Sequence, residues 1–371
     1  MPVDFIISAD SHMTEPPGLW EERLDQAYRD KAPRVIENYQ GRKGYFFVAE
    51  GIEPRSVAGF FAAGKTAEEL TAFIQSGYSE ARAGGWDPGE RIKDQEIDGV
   101  QAEVLYTSLG FSLFQLPDAG LQEACFRAYN DWLAEFCSHH PKRLYGLALI
   151  SLYDVENGIK ELQRTAKLGL RGAMIWGSPP EDHDYGDRRY DPFWAAAQDL
   201  EMPISLHILT GLGKESRIIA GQGRITRYIA FPHEIQRSLA TLISSGVLER
   251  YPNLKIVSSE NDIGWIPHFL YRLDHAWTKF HAMEGTKLSM RPSDYFKRQV
   301  HATFQDDPVG IATRHFFGPD RIMWASDYPH ADSTWPHSRK VIAENFAGVP
   351  EAEIKQMVAQ NAIKLYRMNL N

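Results

Sequence analysis

Short apolar runs alternate along this chain with stretches whose apolar residues recur at helical spacing. The runs begin near positions 4, 102, 144, 171, 203, 254, 299 and 321. They are aliphatic and often β-branched, as expected of strands buried on both faces. The helical patterns between them cover Arg91 to Gly99, Ala119 to His139, Asp154 to Leu168, Asp191 to Leu200, Glu234 to Gly246, Trp265 to Ala282, Pro308 to Phe317 and Glu351 to Tyr366. Eight strands, each followed by a helix, predict an α/β fold of the (β/α)8 TIM-barrel type. Residues 14–90 do not keep this rhythm. There the pattern predicts a turn into a short helix at Glu15 to Trp20, a small hairpin from Gly44 to Val48 with Gly51 and Ile52, and a helix from Thr66 to Ser79. An insertion directly after the first strand is placed to form a lid or substrate wall; a contact between subunits is the alternative. No composition break divides the chain, so residues 1–371 read as a single barrel domain with 14–90 as an insertion or lid subdomain.

In such a barrel chemistry sits at the C-terminal strand ends. The first strand ends in Asp10-Ser11-His12, and residues two apart on a strand share a side. His207 ends the fifth strand, Glu260 the sixth and Asp327 the eighth. Any one of these alone reads as a packing or capping residue. Five converging on one mouth read as a site. Three carboxylates buried together repel one another and lose hydration, and a divalent cation offsets both costs. Two imidazoles with carboxylates suit Zn, Fe or Mn, as one ion or two. His330 follows Asp327 by three positions and either joins the site or is a loop histidine bonded to backbone. His233 follows a glycine-rich stretch and either contacts substrate or caps a helix. His301 faces the metal if its strand register points it inward. Glu15 either supports the site or is a turn residue before Pro16, and His139, His140 and His183 read as surface residues.

The 371 residues are 43% hydrophobic and 24% charged, the balance of a globular protein with ample core. A net charge of -9 argues against nucleic-acid binding, which needs a basic stripe. There is no long apolar span for a membrane, and Met1-Pro2-Val3-Asp4 does not open a leader. Cys125 and Cys137 fall in one predicted helix, roughly 18 Å apart at about 1.5 Å per residue, too far to pair. A cytoplasmic enzyme without disulfides, acting on a small molecule, is the expectation.

Several motifs together carry a family resemblance. They are Ala9-Asp10-Ser11-His12 with Glu15-Pro16, the helix end from Asp94 to Gly99, His207, Glu260 with Gly264-Trp265-Ile266-Pro267, and Trp324-Ala325-Ser326-Asp327-Tyr328-Pro329-His330. The chain resembles the amidohydrolase superfamily, in its amidohydrolase-2 group related to aminocarboxymuconate semialdehyde decarboxylase. The resemblance implies Asp10, His12, His207 and Asp327 as metal ligands, Asp327 also as proton carrier, and a homodimer or higher oligomer. Two positions depart from it. The decarboxylases usually have His or Glu in place of Asp10, and a histidine that assists proton transfer in place of Glu260. Glu260 reads instead as an extra ligand. On that departure the expected reaction is hydrolysis of an ester, thioester, lactone or amide of a fairly large apolar substrate by metal-activated water. Asp327 then carries the proton, Glu260 holds the metal or orients water, and His330 or His233 stabilises the oxyanion. The alternative is metal-dependent, non-oxidative decarboxylation of an aromatic or unsaturated carboxylic acid. A non-catalytic binding protein would show a broken ligand set, and the set here is intact.

Overall fold

The computed structural model describes residues 5–370. The expected strand start near position 4, and the reading of the first four residues, lie outside the described residues. Eleven strands occur among them: β1 (Ile7–His12), β2 (Arg34–Tyr39), β3 (Arg42–Val48), β4 (Arg55–Ser56), β5 (Ala102–Tyr106), β6 (Leu144–Leu149), β7 (Gly172–Ile175), β8 (Ile204–His207), β9 (Ile256–Ser259), β10 (Val300–Phe304) and β11 (Ile322–Trp324). β1 and β5 to β11 lie side by side in chain order as one parallel sheet of eight strands. Helices follow the strands, as in a TIM barrel. The strands of this sheet are buried along their whole length, which explains their unbroken apolar runs.

The sheet curls until its first and last strands meet. Across this seam Asp327 N donates to Asp10 O at 3.0 Å and His12 N donates to Tyr328 O at 2.6 Å. Ser326 N donates to Ser8 Oγ at 2.8 Å. The same bonds that close the barrel therefore bring Asp10, His12 and Asp327 together.

Aspartates start many of the outer helices. Asp87, Asp118, Asp154 and Asp307 each accept a backbone N–H three residues on, at the heads of helices Pro88–Asp98, Ala119–Ser138, Val155–Lys167 and Pro308–Thr313. Each such cap contributes about 1 kcal/mol. Gly99 ends the first of these helices in the left-handed region, at φ 74°.

Several elements differ from expectation, among them a helix, Lys214–Ala220, within the glycine-rich stretch before His233 that the sequence reads as a loop. Arg298 and Gln299 belong to a helix, Pro292–Gln299, and the strand starts only at Val300. Helix Arg224–Ser244 begins well before Glu234 and runs through Pro232. Its first half leaves Ile225, Tyr228 and Ile229 exposed, so no buried face imprinted a helical period there. Helix Ser338–Asn345, between β11 and the C-terminal helices, was not anticipated.

Within 14–90 the expected hairpin is a three-stranded antiparallel sheet, with β3 central between β2 and β4. Helix Ala67–Phe73 starts at a reciprocal cap between Thr66 and Glu69. The segment from Gly59 to Ala63 is bonded to the loop after β11, through Ala63 N to Pro329 O at 3.0 Å and Ala331 N to Gly59 O at 2.9 Å. No described helix is long and apolar enough to cross a membrane. Cys125 and Cys137 are free and buried.

His301 lies on β10 two residues before Thr303 and shares its face. Its surroundings are cationic. Burial, together with Arg321, Lys255 and Lys364, pushes its pKa down to about 3. Above the ordinary histidine value near 6.5 the ring is neutral in both the folded and the unfolded chain. As pH falls below that value the unfolded chain takes up a proton and the folded chain does not, so stability is lost down to about pH 3. The loss is on the order of 4 kcal/mol. His301→Gln removes this titration, and the stability difference between variant and parent in denaturant melts is expected to shift in the variant's favour as pH drops from 7 to 4.

Candidate metal centre

Six side chains meet at the C-terminal mouth of the barrel. His12 is central: its Nε2 lies 3.3 Å from Asp10 Oδ1, 3.3 Å from Glu260 Oε2 and 3.0 Å from Asp327 Oδ1. His207 Nε2 lies 3.2 Å from Glu260 Oε2 and 3.7 Å from Asp10 Oδ1. His330 Nδ1 is 2.9 Å from Asp327 Oδ1. All are buried except Glu260, which is partly exposed.

Backbone geometry aims these groups. β1 presents Asp10 and His12 on one side, as alternation requires. Glu260 and Asp327 lie just past β9 and β11 at φ 55° and 58°, in the left-handed region. A non-glycine residue there costs on the order of 1–3 kcal/mol. That conformation turns each carboxylate back over the mouth.

Neighbouring polar groups fix the orientation of the ligating atoms. His12 Nδ1 is 2.8 Å from Thr107 O, and His207 Nδ1 is 3.0 Å from Ile208 O. Each Nδ1–H therefore donates to a carbonyl and leaves Nε2 free to bind inward. Thr303 Oγ1 donates to Asp10 Oδ2 at 3.0 Å and accepts from Glu260 N at 2.9 Å. Buried Arg91 bonds His12 O at 2.7 Å and Glu103 Oε2 at 2.6 Å, anchoring the end of β1.

Burial works against every charge in this cluster, and the reciprocal contacts overcome it. Asp10 and Glu260 are held below the usual carboxylate range, and Asp327 falls to about 2 beside His330 and His12. His12 is raised well above the usual imidazole value, and His207 is raised to about 9. The cluster thus calls for positive charge at its centre.

The donor set fits a cation. Asp10 Oδ1, His12 Nε2, His207 Nε2, Glu260 Oε2 and both Asp327 oxygens are buried without hydrogen-bond partners. Two overlapping groups, His12-Glu260-Asp327-His330 and Asp10-His12-His207, are each close enough to share one ion. Bonds of about 2.1 Å would space ligand atoms about 3.0–3.4 Å apart, as most of these are.

Aromatic residues wall the cluster. Phe111 stacks on His207 with centroids 4.5 Å apart, and Phe60 from the insertion lies 5.4 Å from His330. A cavity of about 50 Å³ opens beside Asp10 and Glu260, lined also by Thr303, Ile208, Phe231 and Tyr228. The Tyr228 hydroxyl bonds Asp332 across the mouth.

The structure thus gathers Asp10, His12, His207, Glu260, Asp327 and His330. It does not bring His233 to them: that side chain is exposed in the middle of helix Arg224–Ser244, neither capping a helix nor lining the cavity. His301 shares the inward face of Thr303 but sits among Arg321, Lys255 and Lys364, away from the cluster. Glu15 is a buried acceptor for the turn after β5, taking Ser108 N at 3.2 Å and Leu109 N at 2.8 Å. Ser108, Phe111 and Thr303 escaped the sequence reading. Ser108 was visible in one respect, since it stands just past a strand end like the other site residues.

Comparison with known proteins bears on the reaction. A gamma-resorcylate decarboxylase of Rhizobium sp. (strain MTP-10005) is 29% identical over 298 residues, covering 75% of this chain and 86% of the relative. Among solved structures, an amidohydrolase from Mycobacterium avium subsp. paratuberculosis K-10 superposes with a TM-score of 0.81 at 18% identity, over 99% of this chain and 98% of that one. A dihydroxybenzoic acid decarboxylase from Polaromonas sp. JS666, with bound manganese and the inhibitor 2-nitroresorcinol, gives 0.71 at 21% identity, over 99% and 98%. Gamma-resorcylate decarboxylases recur among the curated relatives, and this overturns the expectation of hydrolysis. The weight placed on Glu260 was mistaken: its carboxylate joins the cluster around His12 and His207, and Asp327 with its histidine neighbours stays in place beside it. A family model described as amidohydrolase matches residues 14–368, and the chain belongs to that family.

Proposed function

We propose that this protein is a metal-dependent, non-oxidative decarboxylase of aromatic acids carrying a hydroxyl next to the carboxylate. The observation that carries the reading is the carboxylate–imidazole cluster under an aromatic wall, in a chain whose curated relatives include decarboxylases of that kind. Asp10, His12, His207, Glu260 and Asp327 would hold a divalent cation. Three carboxylates make the set oxygen-rich, which favours manganese over softer ions, in keeping with the ion named for the Polaromonas enzyme. Such an ion supplies charge neutralisation for the substrate carboxylate and its neighbouring oxygen.

The residues supply the proton path. Asp327, with its pKa near 2, starts as a base and not as an acid. The proton that it later donates is drawn in this reading from the substrate, whose hydroxyl beside the carboxylate is the source. Asp327 takes that proton and passes it to the ring carbon bearing the carboxylate. The bond to the carboxylate then breaks, its electron pair returns to the ring, and CO2 leaves. The phenoxide product regains a proton from solvent, so one proton is consumed per turnover. Phe111 and Phe60 pack the ring and exclude water, and Glu260 and Asp10 keep the centre anionic enough to retain its ion.

A panel of benzoates scored for CO2 release tests this reading. Release is expected from 2-hydroxybenzoates and not from isomers whose hydroxyl is remote from the carboxylate, and Asp327→Asn is expected to lower kcat by about 10²- to 10⁴-fold. Release of acid from esters or thioesters, with no CO2 from any benzoate, would overturn it.

Metal dependence has its own readout in thermal melts. Removing the ion with a chelator is expected to lower Tm. Restoring manganese to 100 times its Kd should return about 2.7 kcal/mol of stability. In Asp10→Ala or His207→Ala that manganese-dependent gain is expected to shrink or vanish.

A further inference from the structure

We propose that Ser108 is a positioning residue for the Asp327 carboxyl, acting through His330. The two oxygens of Asp327 are unequal. Oδ1 lies 3.0 Å from His12 Nε2 and 2.9 Å from His330 Nδ1. Both oxygens are buried without a completed hydrogen bond, and the close imidazole contacts fall on Oδ1. That leaves Oδ2 as the oxygen turned to the substrate, provided that the carboxyl does not rotate. Its grip on His330 depends on which ring edge His330 offers.

Stacking alone does not decide that edge. The His330 ring lies on His12 with centroids 3.9 Å apart and planes 21° apart, and Phe60 stands 5.4 Å away. These contacts fix the ring plane. A half-turn about the bond from Cβ to the ring keeps that plane but offers Asp327 a carbon in place of Nδ1. A second contact that separates the two orientations, independent of Asp327, is at the far edge, where Nε2 lies 2.8 Å from Ser108 Oγ. In the half-turned ring the serine hydroxyl would also face carbon. Ser108 thereby selects the orientation in which Nδ1 meets Asp327.

Ser108 is itself firmly placed. Glu15, fully buried, accepts the backbone N–H groups of Ser108 at 3.2 Å, Leu109 at 2.8 Å and Gly110 at 3.4 Å, and the Thr107 hydroxyl as well. The neighbouring carbonyl, Thr107 O, is the partner of His12 Nδ1. One short turn after β5 therefore orients both stacked imidazoles, His12 by a backbone carbonyl and His330 by a hydroxyl. Positioning groups of this kind around a metal centre are worth about 10- to 100-fold in activity.

The kinetic consequence rests on the decarboxylation reading, whereas the ring orientation does not, and the test separates the two. Ser108→Ala and Ser108→Thr are compared with the parent chain, all loaded with manganese, on the 2-hydroxybenzoate that releases CO2 fastest. Ser108→Ala is expected to lose about 10- to 100-fold in kcat with KM and manganese content unchanged, and Ser108→Thr, which keeps the hydroxyl, to retain most of the activity. In parallel, zinc-loaded protein carrying ¹⁵N-histidine reports the His330 ring nitrogens without any substrate. Those signals are expected to shift in Ser108→Ala and to stay near the parent values in Ser108→Thr. Unchanged ring signals in Ser108→Ala overturn the proposal, whatever reaction the chain performs. Loss of bound metal in both variants also overturns it, since Ser108 would then be a structural support of the site. If no benzoate releases CO2 yet the ring signals shift as expected, the positioning role stands and the decarboxylation reading falls.

Discussion

Three carboxylates, two of them fully buried and one nearly so, set around two imidazoles, fix the terms for the rest of this molecule. Asp10, Glu260 and Asp327 come within 3.0–3.3 Å of His12 Nε2, in a place where water does not screen them. Such a cluster survives only if its excess negative charge is answered and its geometry is imposed from outside. The imposition is visible on every side. Thr303 bridges Asp10 and the Glu260 backbone, Arg91 pins the end of β1, and carbonyls of Thr107 and Ile208 orient the two imidazoles. The barrel is a frame that holds repelling groups at a distance suited to a cation.

The same constraint explains why a carboxylate at the end of β9 does not argue for hydrolysis. Charge at that position changes how strongly an ion is held. The chemistry depends on which group can accept a proton and return it to carbon, and the proposed carrier, Asp327, is held ionised with a carboxylate at the end of β9. An argument from one replaced residue gave Glu260 a role that belongs to the cluster as a whole.

Much of the architecture was legible because the barrel strands are buried on both faces and so read as unbroken apolar runs. The candidate ligands were legible because each stands where such a run stops. What was not legible lacks a local signature. The first half of helix Arg224–Ser244 exposes Ile225, Tyr228 and Ile229, so its period carries no buried side, and His233 was misplaced with it. The left-handed turns at Glu260 and Asp327 occur at residues with no glycine to announce them. Ser108 and Thr303 are ordinary hydroxyls, and their roles exist only through contacts across 222 and 293 positions of chain. Glu15 was read as either a support of the site or a turn residue before Pro16, and its carboxylate accepts the backbone N–H groups of the turn after β5.

The seam between β1 and β11 has a consequence for how the protein comes into being. Asp10 and His12 leave the ribosome long before Asp327, yet all three belong to one cluster sealed by backbone bonds between β1 and the loop after β11. During synthesis the early pair must wait, with its carboxylate and imidazole unsatisfied, until the segment after β11 has emerged. Capture of an ion by the full set is therefore a late event, coupled to closing the barrel, and a nascent chain stalled before β11 holds only part of the cage.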